Sequence, residues 1–304
     1  MEKAITSGEI AAALSDARLV GSPMQEVRRV ISLPETNEDP SLLFWCTERN
    51  WDKLRTINRG VVLCSNTLPD VYLVPGRVHI LVPNPRMAFQ EILSKFFSEP
   101  CEIEGVSPTA VIHSTAKIHP SAMLGANVVI ERDVTIGKDC VIGHNTVLKR
   151  RTHLGEHVVI GANCTIGGVG FGYEKDSSGK YALLPHIGNV VVEDFVEIGN
   201  NTAVDRAVIG STILRKNSKI DNLVHIAHGV EVGENSLVIA NAMVAGSVVI
   251  GKNVWVAPSA SVLNQKTIGD RAVIGMGAVV LKDVEEGSTV VGNPARLIGR
   301  GENK

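Results

Sequence analysis

The chain has few aromatic side chains and almost no net charge. Phe, Trp and Tyr make up 4% of its 304 residues, and the formal net charge is −2 at pH 7. A near-neutral balance offers no basic surface for nucleic acid, so we expect no nucleic-acid partner. A composition that is poor in rings but rich in Gly, Val, Ile and Ala favours a narrow interior filled by small branched side chains.

Paired cysteines and long apolar runs are also lacking. The five cysteines are odd in number and show no C-x-x-C spacing, which argues against a disulfide framework and against a zinc site. We therefore expect no metal and a reducing, cytoplasmic environment. No apolar run approaches the ~20 residues of a membrane span. The N-terminus carries acidic residues and does not resemble a signal peptide, so the sequence predicts a soluble protein without an integral membrane segment.

What the chain does have is an aliphatic residue at every sixth position in two long runs. The first run comprises Ile112, Ile118, Leu124, Ile130, Ile136, Ile142, Leu148, Leu154, Ile160 and Ile166. The second comprises Ile220, Ile226, Val232, Val238, Val244, Ile250, Val256, Val262, Ile268, Ile274 and Val280. This period fits neither a helix nor a simple strand. It is typical of short strands that turn a corner every six residues and point one side chain per edge inward.

The hexads predict a mainly β fold, a parallel β-helix over residues 106–285. With three edges per coil, roughly ten coils spaced about 4.8 Å apart form a prism on the order of 50 Å long. Gly, Asn and Asp crowd the positions between the inward residues, and we interpret them as corner residues that tolerate positive φ. Each coil is stable only against its neighbours, so both ends need a cap. Residues 286–304 are the expected C-terminal cap or tail.

Residues 1–105 do not follow the hexad and predict a small α/β domain. Thr6 and Glu9 form a capping-box pattern that opens a helix through Leu14. We interpret the apolar segments 60–64 and 78–82 as short buried strands. Asn84 and Pro85 are expected to start a second helix that runs to about residue 97.

Two interruptions break the repeat. Residues 167–185 are rich in glycine and charge and too polar for the interior, so they predict an inserted loop. The interval from Val204 to Ile220 is two positions shorter than the three hexads of a whole coil. Loops extruded from a rigid scaffold often carry binding residues.

Two histidines flank the inward residue Ile226. We expect His228 to project from a corner, with Gly246 at the equivalent place one coil later, while His225 precedes Ile226. A neutral imidazole is a common general base near neutral pH, and a main-chain N–H unshielded by a side chain can bind an oxyanion. The spacing alone is equally compatible with surface histidines that hydrogen-bond to neighbouring coils.

The repeat, the insertion and the histidine segment together resemble the UDP-3-O-acyl-glucosamine N-acyltransferase family of lipid A biosynthesis. The similar segments are GGVGFGY at 167–173, PHIG at 185–188, VEIGNNTAVDR at 196–206 and KIDNLVHIAH at 219–228. The shortened interval before Ile220 also matches the family. The resemblance covers nearly the whole chain and implies a left-handed β-helix, although right-handed crossovers are the general rule. It also implies a homotrimer with active sites between neighbouring prisms, and a uridine-binding domain in residues 1–105.

What the resemblance implies chemically is transfer of a 3-hydroxyacyl group from acyl carrier protein to the 2-amino group of a UDP-linked glucosamine. His228 would remove the amine proton and the Gly246 N–H would hold the oxyanion, with no covalently bound cofactor. Asp221 and Asn222 are expected to orient His228 or the substrate, or to act only as turn residues. The other candidates for substrate contact are His225 and the loop residues Phe171 and Tyr173, since the glycine-rich loop is expected to cover the acceptor.

The sequence departs from the family pattern in three places. Where members often carry a second histidine, this chain has Gln265, which can hydrogen-bond but cannot titrate. In the expected uracil pocket it offers Phe44, Thr47 and Asn50, with Trp51 as a stacking substitute. Residues 277–296 resemble the C-terminal run of coenzyme A-dependent acetyltransferases. The acyl donor is therefore either acyl carrier protein or coenzyme A.

Three alternative functions remain open at this point. The first is an acetyl-coenzyme A-dependent N-acetyltransferase of a nucleotide-linked amino sugar for surface polysaccharide. The second is a zinc carbonic anhydrase of the hexapeptide fold, for which a third histidine is not evident. The third is a non-catalytic scaffold.

Basic residues at 149–151 predict a binding edge for an acidic carrier protein or for coenzyme A phosphates, unless they are simply solvated.

Overall fold

The computed structural model describes residues 4–99 and 101–300 of the chain. The chain divides into two compact units, Met1–Pro100 and Cys101–Lys304. Among the described residues, no helix is long and apolar enough to cross a membrane.

The N-terminal unit is a small α/β domain around a five-stranded sheet. Its elements are β1 (Ile5–Thr6), α1 (Ser7–Ala12), β2 (Arg18–Val20), β3 (Glu26–Val27), β4 (Arg29–Val30), β5 (Leu42–Trp45), β6 (Gly60–Ser65), β7 (Arg77–Val82) and α2 (Pro85–Ile92). Two 3-10 segments, Glu48–Thr56 and Asp70–Tyr72, and a π-helical turn, Leu93–Phe97, complete it. The sheet order is β2-β7-β6-β5-β4, parallel except at β2.

The local signals of this unit fold as predicted. Thr6 caps α1 in a complete capping box with Glu9. Asn84 caps α2 by accepting from the Met87 N–H, with Pro85 in the first turn. The two apolar segments are the central strands β6 and β7, whose residues are almost all buried. The capping residues therefore set where the helices begin, and the apolar runs set the centre of the sheet.

The second unit is a prism of three sheets with ten, nine and eight strands, all parallel except the last strand of the ten. Its strands before the insertion are β8 (Val111–Ile112), β9 (Lys117–Ile118), β10 (Met123–Leu124), β11 (Val129–Ile130), β12 (Thr135–Ile136), β13 (Val141–Ile142), β14 (Val147–Leu148), β15 (Thr152–Leu154), β16 (Val159–Ile160) and β17 (Thr165–Val169). The insertion forms the antiparallel hairpin β18 (Tyr173–Lys175) and β19 (Tyr181–Leu183).

The prism continues after the hairpin towards the C-terminus. Its strands are β20 (Asn189–Val192), β21 (Glu197–Ile198), β22 (Ala203–Arg206), β23 (Ser211–Leu214), β24 (Lys219–Ile220), β25 (His225–Ile226), β26 (Glu231–Val232), β27 (Leu237–Val238), β28 (Met243–Val244), β29 (Val249–Ile250), β30 (Trp255–Val256), β31 (Ser261–Val262), β32 (Thr267–Ile268), β33 (Val273–Ile274), β34 (Val279–Val280), β35 (Ser288–Val291) and β36 (Arg296–Arg300). β35 extends one sheet beside β33, and β36 pairs antiparallel with it. The predicted cap segment is thus part of the sheet.

The sixfold aliphatic residues fill the interior, as the repeat predicts. Partners in adjacent coils are separated by three hexads, for example Ile130 and Leu148. The hexad residues from Leu124 to Val280 are almost completely buried in one continuous core. Burying one such side chain contributes about 1.5–3 kcal/mol relative to exposure. The coil-by-coil burial therefore stabilises a prism whose individual strands are mostly very short.

The corners are built differently from the expectation. The glycines that follow inward residues are mostly not at positive φ; that conformation lies two residues later, for example at Asn127 and Asp133 (both φ 59°). The glycines are required by space instead. A Cβ on Gly137 would lie 2.2 Å from the carbonyl oxygen of Gly155 in the next coil. Asn and Asp thus supply the left-handed turn, while Gly allows the coils to stack closely.

Both interruptions can be placed through strand register. Leu154 pairs with Val192, so the inserted hairpin leaves the sheets parallel and in phase. The prediction that the second interruption shortens a coil is wrong. Val192 pairs with Leu214, four positions beyond the three hexads of a regular coil, so this coil is longer and not shorter. The extra residues lie between β22 and β23, directly after Asp205 and Arg206.

Candidate active site

A cleft of about 370 Å³ lies on the corner that follows strands β22, β25, β28 and β31. It is lined by most of the predicted catalytic and substrate-contacting residues of the prism, namely His228, Gly246, His225, Gln265 and Phe171. Successive coils stack along this corner, so residues one coil apart in sequence become neighbours in space. The residues that are brought together come from several coils and from the base of the hairpin.

The His228 ring lies directly against Gly246. A Cβ built on Gly246 would be 2.7 Å from both Cε1 and Nε2 of His228, closer than ordinary van der Waals contact. Since His228 is the second residue after Ile226 and Gly246 the second after Val244, the two stand at equivalent corner positions of adjacent coils. The absence of a side chain at 246 is what lets the imidazole extend along the corner.

The Gly246 N–H is available as a hydrogen-bond donor. Its carbonyl oxygen accepts from the Gln265 N–H at 2.9 Å, but among the described residues its own N–H has no acceptor. Elsewhere on the prism the equivalent amide can be satisfied by a side chain of the next coil, as between Lys252 N and Asp270 Oδ1 (2.8 Å). A free main-chain donor beside a histidine is the arrangement that an oxyanion-forming reaction requires.

Two further residues, Asp205 and His186, complete the surroundings of His228. Asp205 is 9% exposed, lines the cleft, and its Oδ2 lies 3.5 Å from His225 Nε2. His186, 3% exposed, packs edge-on against the His228 ring, with the ring centroids 5.2 Å apart and an interplanar angle of 81°. The Leu184 carbonyl is 2.8 Å from His186 Nδ1, which fixes the ring orientation. His228 therefore stands beside a buried carboxyl and a second imidazole.

The environment favours the neutral form of His228. Burial lowers the pKa of His228 and the nearby His186 lowers it further, while Asp205 acts in the opposite direction. Burial raises the pKa of Asp205, and the neighbouring histidines oppose that rise. A neutral imidazole with a nearby carboxyl can accept a proton and then have its positive charge stabilised.

The hairpin base closes over the histidines through Gly170. A Cβ there would lie 2.7 Å from His186 Nε2 and 2.9 Å from His228 Cβ, so only glycine lets the backbone cross both rings. Phe171 is 87% exposed and lines the cleft, as expected for a residue that covers a ligand. Tyr173 lies 4.9 Å from Phe171, ring to ring, but lines an adjoining apolar cavity of about 680 Å³ and not the cleft.

Asp221 and Asn222 are not brought to His228 within the subunit. They line a different depression of the prism, and their side chains hold adjacent coils together. Asn222 Oδ1 accepts from the Asn200 N–H at 2.7 Å, and Asp221 Oδ2 accepts from the Ala240 N–H at 3.1 Å. These bonds match the turn-forming interpretation, and within this subunit Asp205 and His186 occupy the place expected for them.

The expected uracil pocket is only partly accessible. Phe44 has no exposed surface. Its strand, β5, lies between β4 and β6, and the Phe44 ring packs in the apolar core on one face of the sheet. Its prediction as a residue of the uracil pocket is therefore wrong. Thr47 is half-buried at the start of a 3-10 segment, where its side chain makes no capping bond. Trp51 packs against Tyr72 with the ring centroids 6.3 Å apart, and among the described residues its buried Nε1 lacks a partner.

Sequence reasoning missed His186, Asp205 and Asn264 as residues of the site. The first two lie in segments that carried the family resemblance, and Asp205 directly follows the inward Val204 just before the irregular coil. That position, one residue past an inward residue and beside a break in the repeat, was the available signal. Asn264 occupies the same corner position as His228 and Gly246, two coils and one coil away.

Comparisons with known proteins agree with the repeat. A family model described as "Bacterial transferase hexapeptide (six repeats)" matches residues 115–150, 133–168 and 247–282. Two solved structures share the fold: a UDP-N-acetylglucosamine acyltransferase from Campylobacter jejuni (TM-score 0.55, 21% identity, 63% of this chain and 73% of that one) and one from Francisella novicida (TM-score 0.58, 22% identity, 64% and 70%). The left-handed parallel β-helix is thereby confirmed.

Relatives named UDP-3-O-acylglucosamine N-acyltransferase are closer in sequence. Those of Christiangramia forsetii and Campylobacter lari are 51% and 48% identical over 27% of this chain, which spans 24% and 26% of their own lengths in these matches. The relative from Protochlamydia amoebophila is 43% identical over 250 residues, 75% of this chain and 70% of its own length. The chain belongs to the UDP-3-O-acylglucosamine N-acyltransferase family.

Proposed function

We propose that the protein transfers an acyl group from a thioester to the 2-amino group of a UDP-3-O-acylglucosamine-like sugar, in the cytoplasmic part of lipid A biosynthesis. The observation that carries this proposal is the neutral-favouring His228 packed on Gly246, whose N–H is free to donate among the described residues. Family membership supports the same chemistry, since the relatives are named for it.

The reaction follows from these two groups. The sugar amine attacks the thioester carbonyl, forming the new C–N bond while His228 accepts the proton lost by nitrogen. The carbonyl oxygen becomes an oxyanion and accepts a hydrogen bond from the Gly246 N–H. When the tetrahedral intermediate collapses, the C–S bond breaks and the sulfur leaves as a thiolate. The thiolate then takes the proton from the His228 imidazolium, so amide and thiol are the products.

Asp205 stabilises the imidazolium form that His228 takes during the reaction. It is largely buried and lies 3.5 Å from His225 on the wall of the same cleft. A carboxylate in such a site stabilises a transient imidazolium more strongly than it would in water, because the low dielectric strengthens the attraction. His225 and Gln265 line the cleft with exposed polar groups and are the proposed contacts for the bound substrate.

Substrate binding beyond the reacting atoms is assigned by residue chemistry. We assign uridine binding to the domain of residues 1–105, through Thr47 and the half-buried ring of Trp51 as the stacking surface. Phe171 covers the acceptor at the mouth of the cleft. Residues 106–285 form the acyltransferase domain, with the loop 167–185 inserted and residues 286–304 as its end. No covalently bound cofactor takes part.

The assembly we propose is a homotrimer with sites between neighbouring prisms. Asp221 and Asn222 lie outside the cleft of their own subunit, and Asn222 is exposed. In a trimer these residues become available to the site of the adjacent subunit. They can then act on the substrate, as the family resemblance implies, although they lie away from His228 in their own subunit. The acyl donor is acyl carrier protein or coenzyme A. Lys149 pairs with Glu131 and the Arg151 guanidinium donates to the Ile187 carbonyl, whereas the Arg150 side chain makes no ion pair or hydrogen bond among the described residues and is available to phosphates of either donor.

An activity matrix tests the proposal. UDP-glucosamine acceptors with and without a 3-O-acyl chain are incubated with 3-hydroxyacyl carrier protein, acyl-coenzyme A and acetyl-coenzyme A, and products are read by mass spectrometry. We expect N-acylation of the 3-O-acylated sugar and its loss in His228→Ala, with the oligomer intact. Turnover of acetyl-coenzyme A alone would instead support the acetyltransferase. For carbonic anhydrase, no trio of His, Cys, Asp or Glu in residues 4–99 and 101–300 of one subunit is placed to hold a metal.

A further inference from the structure

We propose that the Asn264 side chain is a second oxyanion donor, acting together with the Gly246 N–H. This inference rests on the acyl-transfer function proposed above. Asn264 is the second residue after the inward Val262, as Gly246 is after Val244, and both line the cleft beside His228. The corner thus presents His228, Gly246 and Asn264 on three successive coils.

The prism has a rule for amides at this position on its other two corners. Where the next coil carries Asp, Asn or His at the same position, that side chain accepts a hydrogen bond from the amide. The capped amides and their acceptors are Ala126 with His144, Glu156 with Asp194, Ala162 with Asn200, Asn200 with Asn222, and Lys252 with Asp270, at donor–acceptor distances of 2.6–2.8 Å. These bonds join adjacent coils along both corners.

The corner of the cleft departs from this rule. His228 also stands one coil after Arg206 at this position and does not accept a hydrogen bond from the Arg206 N–H. Arg206, however, lies within strand β22, which pairs with β17, so its amide belongs to a strand and not to a free corner. Asn264 stands where a cap for Gly246 belongs, yet no hydrogen bond joins the two, and its carboxamide has no other partner within residues 4–99 and 101–300.

The missing bond is a property of the Asn264 side chain and not of a displaced coil. The Gln265 N–H donates to the Gly246 carbonyl at 2.9 Å, and the Ala245 N–H donates to the Val262 carbonyl at 3.1 Å. Both are the ordinary bonds between coils of this prism. The backbone is therefore in regular register on each side of the uncapped amide.

The chemistry gives a reason for leaving this bond unmade. A cap from Asn264 Oδ1 would occupy the donor that the oxyanion needs. With the carboxamide turned the other way, its Nδ2 donates beside the Gly246 N–H, and adjacent coils about 4.8 Å apart bring both donors within reach of one oxygen. An amide side chain is a well-suited oxyanion donor because it is neutral and carries two N–H bonds. The bonds that form and break do not change; only the oxyanion gains a second hydrogen bond.

The test compares Asn264→Ala and Asn264→Asp with the wild-type protein. For Asn264→Ala we expect kcat to fall by about 10²-fold, as when one oxyanion donor is lost, with KM changed less than twofold and little change in Tm. Asn264→Asp should be slower still, because a carboxylate repels the oxyanion and can cap the Gly246 N–H. Asp270→Ala, which removes a true corner cap on Lys252, is the matched control and should lower Tm while leaving kcat unchanged.

Each outcome bears on the proposal. Wild-type kcat in Asn264→Ala, or an Asn264→Asp variant as active as the alanine variant, would overturn it. A loss of Tm in Asn264→Ala like that of Asp270→Ala, with unaltered kcat, would show that Asn264 only joins the coils. Failure of the wild-type protein to acylate any amino sugar refutes the proposed function itself, and the oxyanion role with it.

Discussion

Replacing Gly246 by alanine isolates the contact on which the site depends. The new Cβ would lie 2.7 Å from Cε1 and Nε2 of His228 and 3.3 Å from its Cδ2. Carbon contacts are comfortable at about 3.5–4.0 Å, so the imidazole must move away by roughly 1 Å. The φ of Gly246 is not in the left-handed region, so the backbone tolerates alanine and the effect arises from space alone.

The expected consequence is a loss of rate with little loss of binding. A displacement of about 1 Å between a catalytic group and the reacting atoms costs on the order of 10²-fold in rate, which corresponds to about 2.7 kcal/mol in the activation barrier. The Gly246 N–H is still present in the variant, so the oxyanion contact is kept. We expect kcat to fall about 10²-fold and KM to change little in steady-state acyl transfer, with Tm read in parallel.

Gly125→Ala is the matched control. Its Cβ would lie 2.7 Å from Nδ1 of His144 in the next coil and 2.9 Å from the His144 main-chain nitrogen, a clash with a histidine away from the cleft. Because the backbone is also involved, we expect it to lower Tm at least as much as Gly246→Ala and to leave kcat unchanged. If Gly246→Ala keeps the wild-type kcat while Tm falls as in Gly125→Ala, Gly246 does not position His228 for the reaction, and the reasoning is refuted.

The remaining predictions concern burial and charge. Burial, helped by Arg77, lowers the pKa of His79 from 6.5 to about 4. Below pH 6.5 the unfolded chain binds a proton that the folded chain does not, so the free energy of unfolding is unaffected by His79 above pH 6.5 and falls by up to about 3 kcal/mol as the pH drops towards 4. His79→Phe should flatten that dependence in urea unfolding at pH 7 and pH 4.5, and an unchanged slope would contradict it. Asp205 raises the pKa of His228, so Asp205→Asn should move the acidic limb of the kcat/KM profile to lower pH with about tenfold lower kcat; a limb at higher pH would be inconsistent. Ile142→Ala, at a fully buried position of the core, should cost about 2–5 kcal/mol of unfolding free energy in the same denaturation assay, while a loss under about 1 kcal/mol would show that the coils collapse around the gap.

The repeat predicted the inward residues well because one rule applies to each of them separately. A residue such as Ile226 faces the interior wherever its coil lies, so its position can be read from spacing alone. The corners needed two rules that act on different residues, and the sequence does not say which applies where. Position 137 requires glycine because the next coil approaches closely, whereas Asn127 is favoured because the turn needs a positive φ.

The candidate site was predicted in part because its partners depend on register. His228 and Gly246 are one coil apart, so the period brings them together. His186 and Asp205 reach the same corner only because the hairpin lengthens one coil and the extra residues after β22 lengthen the next. The prediction for Phe44 was wrong for another reason. The sequence of its segment fits a pocket wall as well as a core strand, and the position of β5 between β4 and β6 decides for the core.

A repeating fold acquires a reactive site where one corner stops obeying the rule of the others. An unpaired polar group that is shielded from water costs about 1–3 kcal/mol, so a solenoid gains by capping its corner amides. At residue 246 two departures coincide: glycine removes the side chain that would block His228, and Asn264 leaves the amide uncapped. Either departure alone would leave a base without an oxyanion donor, or a donor without a base. The cost of the uncapped amide is offset by the many buried coils around it, and this is why a stable prism can hold a donor ready for a charge that exists only during the reaction.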